Sequence, residues 1–190
     1  MVSFAGSTPP SRLSMPSPDL TYTIGSTALG LALVATDAGG IVAVLLGDDT
    51  ESLLHDLAAR FPSARVTRDD NVNASPLAAV IRAVEKPDQS STVPLAPRGT
   101  AFQRQVWDAL RKIPPGATTS YTEIARMIGS PRAYRAVAHA CGANPIAVLV
   151  PCHRVVRSDG ALAGYRWGLD RKRQLLAREE AARETVPLRP

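Results

Sequence analysis

The sequence predicts a small α/β N-terminal domain, an antiparallel sheet plus helices, followed by a mostly helical C-terminal domain with a winged helix-turn-helix-like pair. Three observations carry this. Short β-friendly runs at residues 20–26, 30–36 and 41–47 are separated by Ser-Thr-Ala and Asp-Ala-Gly-Gly turns. Past a proline-rich stretch the apolar spacing changes to the threes and fours of helices. The charge reverses at the same place: up to Pro97 there are 6 Lys and Arg against 10 Asp and Glu, whereas from Arg98 the counts are 16 and 7.

Each element has its own local signal. Asp49 or Thr50 can cap a helix with Leu53, Leu54, Leu57 and Ala58 on one face, and a second helix fits residues 76–84. These elements make a domain over residues 19–88, preceded by a Ser- and Pro-rich flexible tail, 1–18, and followed by a linker, 89–97. Residues 98–190 form the second domain. There Thr100 caps a helix carrying Phe102, Val106, Leu110 and Ile113, closed by Pro114-Pro115-Gly116. A helix over 120–127, a break at Gly129-Ser130-Pro131 and a helix from Pro131 to about Cys141, ended by Gly142, give the pair. The apolar run 146–150 reads as a buried strand stopped by Pro151, residues 160–168 as a Gly-rich loop, and residues 169–183 as a final helix.

Composition narrows the function classes. Hydrophobic content of 45% with 21% charged residues fits a soluble globular chain. No apolar run reaches the roughly 18 residues that cross a bilayer, so no membrane partner is expected. The N-terminus shows no secretory signal, which leaves the cytoplasm as the expected compartment. Two cysteines and three histidines are too few for a disulfide framework or a zinc cluster, so no metal and no cofactor are expected. The basic second half fits a nucleic-acid surface, an acidic membrane surface or a plain solvated face.

Cys152 follows directly on Pro151, which fixes its thiol at a strand end. A thiol reacts as its thiolate and needs a neighbouring cation or base near pH 7; His153 is adjacent and Arg154 lies beyond it. A nucleophile with its base and a structural Cys-His pair both fit this spacing.

The runs at residues 98–145 and 150–179, with their Arg-Ala-Val helix, Asn144, Pro-Cys-His-Arg-Val core and Gly-Tyr-Arg-Trp-Gly loop, closely resemble the O6-alkylguanine-DNA alkyltransferases. The likeness is greatest to the C-terminal half of the bacterial adaptive-response protein. Residues 19–88 resemble the family's N-terminal domain in size and strand order. The resemblance implies direct-reversal repair: stoichiometric, irreversible transfer of an alkyl group, preferably methyl, from O6 of guanine, and from O4 of thymine, to Cys152. It implies double-stranded DNA as partner, a flipped base reached through the minor groove, and a monomer in solution that binds DNA alone or cooperatively. Such a protein is DNA-associated, in the cytoplasm or in a nucleus.

The resemblance also assigns roles. Cys152 matches the alkyl acceptor, His153 the base that takes its proton through a water, Glu179 the carboxylate that orients the histidine, and Asn144 the tie between recognition helix and active-site segment. Arg135 matches the finger that replaces the flipped base, and Tyr121 the residue that rotates the nucleotide and hydrogen-bonds the guanine. Arg132, Ala133 and Ala136 belong to the DNA-binding face. Tyr165 and Lys172 match pocket residues, backbone groups around Val155 and Arg166 would read the base edge, and Trp167 would form a pocket wall that favours methyl over benzyl. Cys141 matches no catalytic position and reads as core. Tyr134 and His139 depart from the family pattern, where smaller residues are usual. The N-terminal metal ligands of some animal members and the four-cysteine sensor of full adaptive-response proteins are absent, which predicts neither zinc nor methyl-phosphotriester sensing. A winged-helix regulator with a redox-sensing cysteine and a Cys-His hydrolase are the competing readings; the first leaves Asn144 and Glu179 unexplained, and the second calls for turnover and for a histidine separated from the cysteine rather than adjacent to it.

Overall fold

The computed structural model describes residues 19–87, 92–162 and 164–185. The expected tail, 1–18, and part of the linker lie outside them. The three apolar runs pair as antiparallel neighbours, β1 (Asp19–Thr27), β2 (Gly30–Asp37) and β3 (Gly40–Gly47). A fourth strand, β4 (Arg65–Arg68), joins β1 in parallel and gives the order β3-β2-β1-β4. The sheet is therefore mixed. Sequence reading missed β4 because Val66 is its single apolar residue, too little for a strand signal.

Two helices pack on this sheet, α1 (Thr50–Arg60) and α2 (Ala74–Glu85). Asp49 caps α1, accepting the Ser52 N–H at 2.8 Å. Leu53 and Leu57 are buried in the core, while Ala58, expected on the same face, is exposed.

The stretch expected to be a linker does more than connect. Ile41 N–H donates to the Pro94 carbonyl and Ala96 N–H to that of Ile41, so this segment runs along the outer edge of β3. It passes so close to Gly40, whose φ is +127°, that a Cβ there would collide with the Pro94 carbonyl. Further along the same edge Val44 N–H donates to Pro145 and Ala147 N–H to Val44. Both segments cover backbone groups that an edge strand would otherwise leave unpaired.

Helix α3 (Ala101–Leu110) starts at a capping box made by Thr100 and Gln103 and buries Val106, Trp107 and Leu110. Helix α4 (Tyr121–Met127) is capped by Ser120. Helix α5 (Tyr134–Gly142) packs on both. It begins three residues later than expected, so Pro131 and Arg132 lie in the turn before it, and Gly142 is its last residue rather than its stop. The run 146–150 is buried as expected but is no strand: beyond the bridge at Ile146 it turns, with Val148 at φ +66°. A single 3-10 turn, Cys152–Arg154, leads into β6 (Val155–Val156), which pairs in parallel with β5 (Thr119–Ser120). That short pairing fixes Tyr121 beside the segment that carries Cys152. The chain closes with α6 (Leu169–Thr185).

Candidate active site

Cys152 sits at the start of the 3-10 turn, 6% exposed, at the wall of a cavity of about 480 Å3. Tyr121, Ala138, Cys141, Gly142, Gly164, Tyr165 and Arg166 complete the lining. Sequence reading found Tyr121, Tyr165 and Arg166 but placed Cys141 in the core. Ala138, Cys141 and Gly142 stand at i, i+3 and i+4 of α5, a spacing that could have identified them as one helix face.

Burial pushes the Cys152 thiol up to about 11, against the opposing pull of an Asn144 hydrogen bond and the Lys172 charge. At neutral pH only on the order of one thiol in ten thousand is then ionised. The site therefore stores a thiol and needs a base at the moment of reaction.

Asn144, fully buried, makes three bonds that shape this corner. Its Nδ2 donates to the Val150 carbonyl at 2.8 Å and to Cys152 Sγ at 3.2 Å, and its Oδ1 accepts the Ile146 N–H at 2.9 Å. The amide thus holds the turn between α5 and the thiol and points a donor at the sulfur.

Behind the thiol lies a buried relay. His153 Nε2 is 2.8 Å from Glu179 Oε1, and Nδ1, also buried, has no partner among the described residues. A carboxylate accepts only, so Nε2 carries the proton and Nδ1 keeps a lone pair. Burial lowers the His153 pKa, opposed by Glu179, so the imidazole rests neutral and can accept a proton. For Glu179 burial pulls upward, but bonds from His153 and Arg154 outweigh it and hold the carboxyl at about 2.

Arg154 is the residue whose role sequence reading missed. It was noted as a cation near the thiol, yet its Nε and Nη2 clamp Glu179 at 2.8 to 3.1 Å while Nη1 donates to the Ile113 carbonyl. Gly116 N–H adds a further bond to Glu179 Oε2 at 3.0 Å. No sequence signal links positions so far apart.

Lys172 is fully buried and donates to the Val155 carbonyl at 2.6 Å, which leaves that oxygen a second lone pair. Burial raises the Tyr121 hydroxyl to about 12, so it remains a donor. Trp167 does not line the cavity. It is buried and meets Tyr165 edge-on, with ring centroids 5.2 Å apart, and Val155 and Lys172, also expected at the pocket, are likewise outside the lining. Among the described residues no group of three or more His, Cys, Asp or Glu side chains forms a metal site.

On the outside of α5, Tyr134, Arg135, Ala136, Ala138 and His139 are exposed, whereas Val137, Ala140 and Cys141 face inward. Ala133 is half-buried and Arg132 exposed in the turn before the helix.

Fold and site together set a buried thiol at a cavity wall, next in sequence to a buried His-Glu pair and beside a helix-turn-helix. The family described as "6-O-methylguanine DNA methyltransferase, DNA binding domain" matches residues 101–181. The inducible methylated-DNA–protein-cysteine methyltransferase of Bacillus subtilis is 38% identical over 164 residues, 86% of this chain and 87% of that protein. The chain belongs to the methylated-DNA–protein-cysteine methyltransferase family.

The bifunctional transcriptional activator/DNA repair enzyme Ada of Escherichia coli is 51% identical over 158 residues, 83% of this chain but 45% of Ada. The chain thus spans about half the length of such relatives. The crystal structure of Mycobacterium tuberculosis O6-methylguanine methyltransferase superposes with a TM-score of 0.73 at 34% identity, covering 90% of this chain and 96% of that one. The Mycobacterium tuberculosis OGT structure in complex with DNA gives 0.70, also at 34% identity, over 86% and 94%.

Proposed function

We propose that this protein repairs O6-alkylguanine in double-stranded DNA by moving the alkyl group, methyl foremost, onto Cys152 in one irreversible step. The observation that carries the proposal is a buried thiol at a cavity wall, with the Asn144 amide aimed at its sulfur and the adjacent His153 held by Glu179 at 2.8 Å. The sulfur attacks the alkyl carbon; the S–C bond forms as the C–O6 bond breaks, and the electron pair stays on guanine. The thiol proton passes to His153 Nδ1 through a water and returns to the guanine, so atoms and charge balance. Tyr121 donates to the departing base, Tyr165 and Arg166 line its seat, and Lys172 holds the Val155 carbonyl behind that lining. O4-alkylthymine presents the same alkyl ether and fits the same step.

A buried thiol cannot reach O6 inside a duplex, so the nucleotide must leave the stack. The small residues Ala133, half-buried, and Ala136, exposed, allow close approach of α5 to a groove, Arg132 supplies a phosphate contact, and Arg135 fills the gap left by the base. The protein acts as a monomer associated with DNA. Among the described residues no helix is long and apolar enough to cross a membrane.

Intact-mass and peptide analysis after mixing with O6-methylguanine duplex tests this. One methyl per molecule, on Cys152, is the expected result. A methyl on Cys141, or repeated turnover, would overturn the assignment.

A further inference from the structure

At the start of α5 two exposed side chains lie against each other. Tyr134 is 44% exposed, and the guanidinium carbon of Arg135 is 5.7 Å from its ring centroid. Successive residues on a helix point about 100° apart, so this contact requires the long arginine to fold back over the ring. Among the described residues neither side chain has a hydrogen bond or a carboxylate partner in the structure. The sequence supplies no acid nearby: none occurs between Glu123 and Asp159. Across the turn, the end of α4 presents Met127, itself 49% exposed. The tip of the helix pair is therefore cationic and apolar at once, with a large aromatic ring that contributes nothing to the core.

We propose that Tyr134 is a second stacking side chain of the nucleic-acid surface. In the free protein its ring holds the Arg135 guanidinium at the helix tip. On duplex DNA, once Arg135 enters the stack, the ring is released to cover a base beside the gap. An exposed aromatic face stacks on any base, so it would favour an opened duplex without reading sequence. The apolar neighbour Met127 suits the same surface, because wedges of this kind part base steps in a groove. The inference rests on the repair reading above.

The test uses the full chain with Tyr134→Phe, Tyr134→Leu and Tyr134→Ala. Transfer is timed on an O6-methylguanine duplex and on free O6-benzylguanine base, which needs no flipping. In a Cys152→Ala background, 2-aminopurine beside the lesion reports stacking by its fluorescence. Tyr134→Ala should slow duplex transfer about tenfold and restore 2-aminopurine emission, and Leu should behave like Ala. Phe should match the native protein, and all variants should react with the free base at the native rate. Native duplex rates for Ala, or for Leu, would remove the stacking role. A parallel loss on the free base would place Tyr134 in cavity structure and equally overturn it. If the native protein transfers nothing from either substrate, the repair reading fails, a result distinct from any of these.

Discussion

The N-terminal sheet and the segment around Cys152 are both buried, but by different means. In β2 and β3 residues 32–35 and 41–46 are buried, and apart from a bulge at Val42, where the register shifts between Ala35 and Thr36, they lie in a ladder that satisfies their backbone. Residues 144–156 are buried nearly as completely, yet most of them turn irregularly, and their polar groups are met by Asn144 and by side chains from afar. A ladder spreads its bonds over many residues, so losing one is modest. The site concentrates them in a few polar side chains, so losing one strands several partners in a dry interior.

The sharpest way to break that contrast is Glu179→Ala. It leaves Arg154, His153 and the Gly116 N–H without their acceptor, and removing one member of a buried charged network costs about 3–5 kcal/mol. The carboxyl, held at about 2 against an ordinary 4.5, also ties stability to pH. Its folded pKa is depressed, so the contribution is complete above the unfolded value and falls away as pH drops from about 5 toward 2. It amounts to on the order of 3 kcal/mol. Urea unfolding of the native protein should show this slope and the variant should lack it. Equal slopes would mean that Glu179 is no more than a replaceable core residue.

Trp167→Ala asks whether the loop at the cavity is packing or site. Because the indole lies behind Tyr165, truncation should cost about 3 kcal/mol of stability. The ratio of rates on O6-benzylguanine and methylated duplex should stay where it was. A ratio shifted severalfold toward benzyl would return Trp167 to the cavity wall. Trp167→Phe should be mild, since it keeps a ring and removes an indole N–H that has no partner among the described residues.

The same contrast explains what could be read from the sequence. Strands β1 to β3, the caps Asp49 and Thr100 and the face of α3 are local patterns, and each was legible as written, whereas the cap read at Ser130 fails because α5 starts after Ala133 with no side-chain cap. Cys152 and His153 stood out by their own chemistry, whereas their grouping with Asn144 and Glu179 was legible only through resemblance. Their convergence depends on contacts spanning 8 and 26 residues, which no periodicity encodes. The errors share a cause. A run such as Ile146–Val150 is apolar in a strand or in a buried turn alike, and only the backbone at Val148 distinguishes them. Tryptophan and cysteine suit core and cavity equally, so the sequence did not reveal that Cys141, buried in the core as read, also borders the cavity. Strand β4 escaped because its pairing with β1, rather than its own residues, makes it a strand.

The smallest effect concerns the opposite charge of the two halves. Among the described residues three ion pairs cross between them: Asp37 with Arg98 at 2.7 Å, Asp56 with Arg166 at 2.8 Å, and Asp48 with Arg171. Each has a partner at least 40% exposed, and such pairs contribute about 0.2–1 kcal/mol before salt screens them. The backbone bonds between Val44 of β3 and Pro145 and Ala147 are insensitive to salt and sit beside buried residues. The halves should therefore be joined by that edge, with the charges secondary. A triple Asp37→Asn, Asp48→Asn, Asp56→Asn variant should lose no more than about 2 kcal/mol at low salt and converge on the native protein as salt rises. DNA affinity should instead fall steeply over the same range, because phosphate neutralisation by the basic half releases counterions. A loss well above about 3 kcal/mol that persists at high salt would show that these aspartates are structural anchors of the Glu179 kind, and the contrast between ladder and site would no longer hold at the junction.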